Sequence, residues 1–301
     1  MVSLKEICTN VVGIQDTRLK DLNGKRLLYN EVIETKKFTN SGKITHKIEF
    51  PSDGTGVANM KIYGNWESVR LMVGGQQFDK LSKDIPINTF QMLNDGCCLP
   101  YLEYHNIEFF IEGGDYQLEY DIVSVDFNFE IDQEYFVKQL QYSGPEKNVD
   151  KININFNHPV EKIIVYTEKP VSNVQFLMAP NVNTIIEKIG LLSKEIKKTY
   201  DSRLDQFLKS SEEKDLVIKD FLLLAQRANA IDTKYFFPFR QIDPTHWELD
   251  FEPTLNFSVF DYRQTCIVCD SSFKDNTINY FGITHHLVKF MHGMAGLVFS
   301  K

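Results

Sequence analysis

The sequence has little that would hold it in a membrane, bind nucleic acid or catalyse a reaction. No stretch reaches the roughly 18 to 20 apolar residues of a membrane-spanning helix. The opening residues, MVSLKEICTNVVG, have no long apolar core of the signal-peptide type, so a chain made and kept in the cytosol is expected. Five cysteines are few and odd in number, which fits reduced thiols rather than a disulfide framework. Basic residues number 33 against 41 acidic ones, a net charge of -8, so the broad basic surface that phosphate binding needs is missing. The one basic cluster, Lys194, Lys197 and Lys198, has Glu195 inside it and reads as a solvated helix face. There is no G-x-S-x-G, no H-E-x-x-H and neither of the glycine-rich phosphate-binding patterns. No cofactor is expected.

What the sequence does have is aromatic and apolar residues at a period of two. Hydrophobic residues make up 43% of 301, and 23 residues are Phe, a usage that suits a large β-rich core. Ile44, Ile48 and Phe50 share one face, as do Ile107, Phe109 and Ile111, then Leu118, Tyr120 and Ile122. In KININFNHPV, Ile152, Ile154 and Phe156 alternate with asparagines, and Leu255, Phe257 and Val259 repeat the pattern later. Such alternation gives each strand one buried and one wetter face, as in antiparallel sheets. Turn signals separate the runs: NSG, SDGTG, NDG, EGGD and SGPEKN. A sandwich, jelly roll or barrel follows. Within about 181–235 the period becomes helical, from about Asn183 to Ala230, with one stripe through Ile185, Ile189, Leu192 and Ile196 and another through Val217, Phe221, Leu224 and Ala228. That region is expected to be a helical insertion between strands, and a short helical turn is expected within residues 87–93.

Several residues could carry chemistry, and each has a plainer structural reading. Cys266 and Cys269 form a C-x-x-C, but four ligands make a structural zinc site, and no second pair has suitable spacing, so buried small hydrophobes are expected instead of a metal centre. His285, His286 and His292 have no local nucleophile or carboxylate and read as strand or interface histidines. His158 precedes Pro159, which holds it extended at a turn or strand end. Gly74 and Gly75 follow a strand-like run with no helix after them, so a bulge or tight strand bend is expected rather than an anion site. Trp247 stands in DPTHWELD near Asp243, His246, Glu248 and Asp250, the best local candidate for a ligand site, with an aromatic anchor at a loop or interface as the alternative.

Six stretches, in one order along the chain, resemble the major capsid proteins of the nucleocytoplasmic large DNA viruses: SVRLMVGGQQFDKL, LPYLEYHNIEFFI, EYFVKQLQYSG, ININFNHPVEKIIVYT, TLNFSVFD and the terminal LVKFMHGMAGLVFS. The Asn-Phe-Asn-His-Pro-Val run at 155–160 is the most specific of them. The resemblance implies an all-β chain of two jelly-roll β-sandwiches side by side, a double jelly roll. The strand and turn pattern divides the chain into an N-terminal arm at 1–25 and two strand-rich halves, which in this resemblance are a first jelly roll at 26–127 and a second at 128–301 with the helical insertion at about 181–235. The resemblance implies a non-enzymatic structural protein of a virion, assembled in the host cytoplasm. Its partners would be copies of itself, as a homotrimer or a pentamer, other capsid proteins and an internal viral membrane, with no direct nucleic-acid contact. The chain departs from the family in its short length and in an acidic VDFNFEIDQ where an arginine-rich run is usual. A minor capsid or pentameric vertex protein is therefore the alternative, and a carbohydrate-binding β-sandwich is the alternative of another class.

The apolar C-terminal segment reads as a closing core strand. Leu287, Phe290, Leu297 and Phe299 would be buried, Met291 and Met294 would fill gaps in the core or a subunit contact, and Gly293 and Gly296 would allow a bend or a close backbone approach.

Overall fold

The structure is a computed structural model, and it describes residues 25–142, 144–178, 235–257, 265–270 and 273–298. The expected helical insertion at about 181–235 and the lysine cluster within it lie almost wholly outside the described residues, and Val259 and Phe299 lie outside them too. The described residues form strands, with a single three-residue 3-10 turn at Gln91–Leu93 inside the stretch expected to be helical.

In chain order the strands are β1 Glu31–Asn40, β2 Ile44–Lys47, β3 Thr55–Val73, β4 Gln76–Ser82, β5 Cys98–Pro100, β6 Ile107–Ser124, β7 Gln133–Tyr142, β8 Glu146–Val149 and β9 Ile152–Asn153. They continue as β10 Pro159–Thr167, β11 Gln175–Met178, β12 Tyr235–Pro238, β13 Arg240–Asp243, β14 His246–Asn256, β15 Cys266–Val268, β16 Phe273–Met291 and β17 Met294–Leu297.

The chain divides into two compact units, each gathered from separated segments. Of the described residues, the larger unit takes 25–142, 144–145, 158–166 and 278–298. Its main sheet runs β1-β6-β3-β4, with β2 beside β6 and β5 beside β3, all paired antiparallel. The period of two read from the sequence is seen directly on β6, where Ile107, Phe109, Ile111, Leu118, Tyr120 and Ile122 are all buried. Their rings and branches meet Val57, Ile62, Val69, Leu71, Phe78 and Phe90 in one core. Tyr135 of β7, Val288 and Phe290 of β16 and Ala295 of β17 pack on the same core, so the C-terminal strands close a sandwich over residues far away in sequence.

One turn signal proves not to be a turn. EGGD lies inside β6, which runs unbroken for 18 residues beside the 19 of β3. Gly113 has φ +149, and a Cβ there would stand 2.5 Å from the Cα of Trp66. The ladder slips in register on both sides of Trp66. The glycine thus lets two long strands bend together at a bulge, where a turn would have ended them.

Of the described residues, the smaller unit takes 146–157, 167–178, 235–257, 265–270 and 273–277. Its four-stranded sheet has the order β12-β11-β15-β9, and β13 and β14 form a hairpin. Phe156, Phe176, Phe237, Phe251 and Phe257 are buried here, with ring centroids 5.5 to 6.4 Å apart in mostly edge-on contacts.

Candidate assembly surface

Two hairpin turns and one loop of the larger unit are tied together by hydrogen bonds. Gly74 and Gly75 join β3 to β4 with φ of +56 and +81. His292 and Gly293 join β16 to β17 with φ of +45 and +76. Two successive positive φ values match the right-handed twist of the flanking strands, which is why such pairs make tight hairpins. The loop at 101–106, between β5 and β6, reaches both turns. Its Tyr104 N–H donates to the Gly293 carbonyl at 3.1 Å, and the Gly74 N–H donates to the Asn106 carbonyl at 2.9 Å. The His105 ring occupies the space where a Cβ on Gly74 would be, 2.5 Å away. Its Nδ1 lies 3.2 Å from the Ala295 nitrogen and 3.1 Å from the Ala295 oxygen, so either neutral tautomer keeps one bond to β17. A Cβ on Gly293 would stand 2.9 Å from the Glu103 Cβ, so glycine is needed there on both conformational and steric grounds.

This junction presents apolar side chains to solvent. Tyr104 is 66% exposed, Met291 36% and Met294 38%. The methionines are directly opposite one another across β16 and β17. Charge surrounds them: Asp132 pairs with Lys289 at 3.2 Å and lies 3.9 Å from His292. An apolar centre with a polar rim, on hairpin ends held by hydrogen bonds, is the arrangement of a protein contact. It brings together no nucleophile with a base, and no group of three or more possible metal ligands occurs among the described residues.

Gly74, Gly75, Met291, Gly293 and Met294, read separately along the sequence, meet at this one place. Met291 and Met294 do not fill core gaps, because the turn between them lifts both out of the sandwich, which leaves the other reading of them, a subunit contact. Gly74 and Gly75 bend the chain tightly as the turn of a hairpin, and the bulge of that ladder falls earlier, between Leu71 and Met72. Gly296 has neither a positive φ nor a close neighbour, the nearest atom to an added Cβ being Gln76 Oε1 at 3.9 Å, so no bend or close approach explains it. Tyr104 and His105 are visible in the sequence only as a Tyr-His pair; the contact that gives His105 its role spans 190 residues.

The other candidate residues lie elsewhere. His158 stands just before β10 with its ring edge-on to His286, centroids 4.4 Å apart, and Pro159 begins the strand. His285 meets Glu161 at 2.6 Å, and Lys138 meets the same carboxylate at 2.9 Å. The hydrogen bond from His285, with Lys138 beside it, holds the Glu161 carboxyl down at about 2 despite its partial burial. Trp247 is 5% exposed in the smaller unit, so it offers no open ring for stacking a sugar. Its neighbouring carboxylates are engaged separately. Asp243 accepts from the Thr245 N–H and hydroxyl at 2.8 and 2.9 Å, and Glu248 pairs with Arg240 at 2.9 Å and His246 at 3.3 Å. Cys97, Cys98 and Cys266 are buried, and burial pushes the Cys98 thiol up to about 12, far from a reactive thiolate.

No protein-family model matches the chain. An alignment 132 positions long shows 30% identity to the major capsid protein of Pyramimonas orientalis virus. The match covers 34% of this chain and spans about a third of that relative's length, 33%. Among solved structures, the chain is similar to one described as the PBCV-1 virus capsid, a quasi-atomic model, with a TM-score of 0.50 and 11% identity over 91% of this chain and 99% of that one. PBCV-1 VP54 fitted into a reconstruction of the virophage Sputnik gives 0.48 and 13% over the same shares. The resemblance to viral major capsid proteins read from the six motifs is thus matched in a curated sequence, and the fold is all-β, of the double jelly-roll class.

Proposed function

We propose that the chain is a structural protein of a viral capsid, working by association with copies of itself rather than by catalysis. The single observation that carries this reading is the 30% identical stretch shared with a viral major capsid protein. The junction of Gly74, His105, Tyr104 and Gly293 supports it, because it displays apolar residues on hairpin ends held by long-range hydrogen bonds. In this reading the working unit is a homotrimer, and its place is the shell of a virion beside other capsid proteins. Three copies joined by one repeated contact close into a ring. A stable ring of that kind buries an apolar centre such as Tyr104, Met291 and Met294 provide.

A charge placed in that centre tests the reading. Met294→Asp is expected to leave thermal unfolding close to that of the parent and to abolish assemblies seen by electron microscopy of the purified protein. Assemblies that survive Met294→Asp and Tyr104→Ala together would remove this surface from the contact.

A further inference from the structure

Among the described residues, β1 is the longest strand exposed almost throughout. It is an edge strand, bonded among the described residues to β6 alone. Nine of its ten residues are exposed and the tenth is half-buried. Three of them are large and apolar: Val32 at 45%, Ile33 at 51% and Phe38 at 38%. Long exposed edges are templates for another strand, and natural proteins usually shorten them, cover them, twist them away with a bulge or load them with charge. β1 carries both signs equally, Glu31 and Glu34 against Lys36 and Lys37. A second copy is therefore not repelled by net charge.

The order of those charges selects a register. In antiparallel pairs, directly opposite residues point to the same face. Two copies related by a two-fold axis through Thr35 place Thr35 opposite Thr35, Glu34 opposite Lys36 of the second copy, and Lys36 opposite its Glu34. Centring one residue later sets Lys36 against Lys36, and two later sets Lys37 against Lys37. Centring one residue earlier sets Glu34 against Glu34 and Lys36 against Val32. Among these neighbours, only the Thr35 register gives opposite charges twice with no like-charge pair; the Glu34 register sets Glu31 against Lys37 twice but opposes Glu34 to itself. It also brings Phe38 to the Val32–Ile33 stretch, where the bulge between Val32 and Glu34 presents both side chains. The Glu34 Oε2 and Lys36 Nζ already lie 2.7 Å apart on one face of the strand, so a second copy extends that pair into a cluster of four alternating charges.

We propose that β1 is a self-pairing edge, on which a second copy of this chain adds its own β1 antiparallel with Thr35 at the two-fold centre. The proposal rests on the self-association read above and deepens it, naming one contact and its register. The contact is isologous and joins copies in pairs. It is separate from a ring closed through other surfaces.

The register makes the test sharp. Opposed residues of an antiparallel pair have Cα atoms about 4.5 to 5.5 Å apart, within the range a disulfide spans. Full-length Thr35→Cys protein is expected to form a covalent dimer under mild oxidation, read on a non-reducing gel. Thr39→Cys, on the same strand but far from its own copy, is expected to stay uncrosslinked. Lys36→Glu turns both opposite-charge pairs into like-charge pairs and should weaken pairing on the order of tenfold by sedimentation equilibrium. The double variant Glu34→Lys/Lys36→Glu, which restores alternation, should return it to within about twofold. Equal crosslinking of Thr35→Cys and Thr39→Cys, or no loss with Lys36→Glu, overturns the register. Wild-type protein that associates while Thr35→Cys stays uncrosslinked overturns this contact and leaves the capsid reading standing. Crosslinked pairs that never build anything larger strike the capsid reading and leave this contact standing.

Discussion

β1 and β6 are neighbours in one sheet, yet they meet opposite surroundings. β6 buries every second residue from Ile107 to Ile111 and again from Tyr116 to Ile122, whereas β1 buries none of its ten. They share one ladder, but β6 is bonded to β3 and β2 as well, whereas β1 is bonded to β6 alone among the described residues. They differ further in the apolar area removed from water, and burial of that area is the dominant favourable contribution to folding. The central strand holds the sandwich together, while the edge leaves its side chains for another molecule.

The sharpest way to break this comparison is to truncate one aromatic on each strand. Phe109→Ala on β6 removes a fully buried ring and is expected to cost about 3–5 kcal/mol in urea unfolding. Phe38→Ala on β1 removes a half-exposed ring that stacks on Tyr120 and packs tilted against His46, and should cost less than about 1.5 kcal/mol. Equal losses would mean that the edge contributes to folding as much as the centre does. Next in size is Gly113→Ala, which forces a methyl against the Trp66 backbone at a positive φ. It should cost more than about 1 kcal/mol, with the loss seen as a lower urea midpoint.

A smaller effect follows from pH. Glu161 is held at about 2, below its ordinary 4.5, by His285 and Lys138. A carboxylate with a depressed folded value contributes stability above about pH 4.5 and loses it as pH falls toward 2. Glu161→Gln should therefore flatten the fall in stability across that window, measured by thermal unfolding at each pH, and a fall as steep as the parent's would remove the pair from the acid response. The smallest effect is expected at Gly296→Ala, within about 0.5 kcal/mol, because an added methyl meets nothing close.

Much of the fold was legible in side-chain alternation. Ile107, Phe109, Ile111, Leu118, Tyr120, Ile122, Ile152, Ile154 and Phe156 are all buried as their period of two requires. Glycine pairs were the ambiguous signal. Gly74–Gly75 ends a strand, while Gly113–Gly114 bends one, and local sequence alone does not separate the two because both exploit the missing Cβ. The terminal segment misled for a related reason. Its apolar run reads as one core strand, but His292–Gly293 folds it into two and turns Met291 and Met294 outward. The candidate surface was legible as separate glycines and methionines. That they meet was not, because the link through His105 depends on a loop and a strand 190 residues apart. Trp247 stood out among charges, yet alternation puts its ring on the buried side of β14 and the neighbouring Glu248 among ion pairs.

The most direct measurement is the mass of the purified chain in solution, by light scattering after size exclusion across a wide range of concentration. A structural protein that works by self-association is expected to run as a multimer of the 35.0 kDa chain, with a trimer as the closed unit. A strict monomer at every concentration would contradict it.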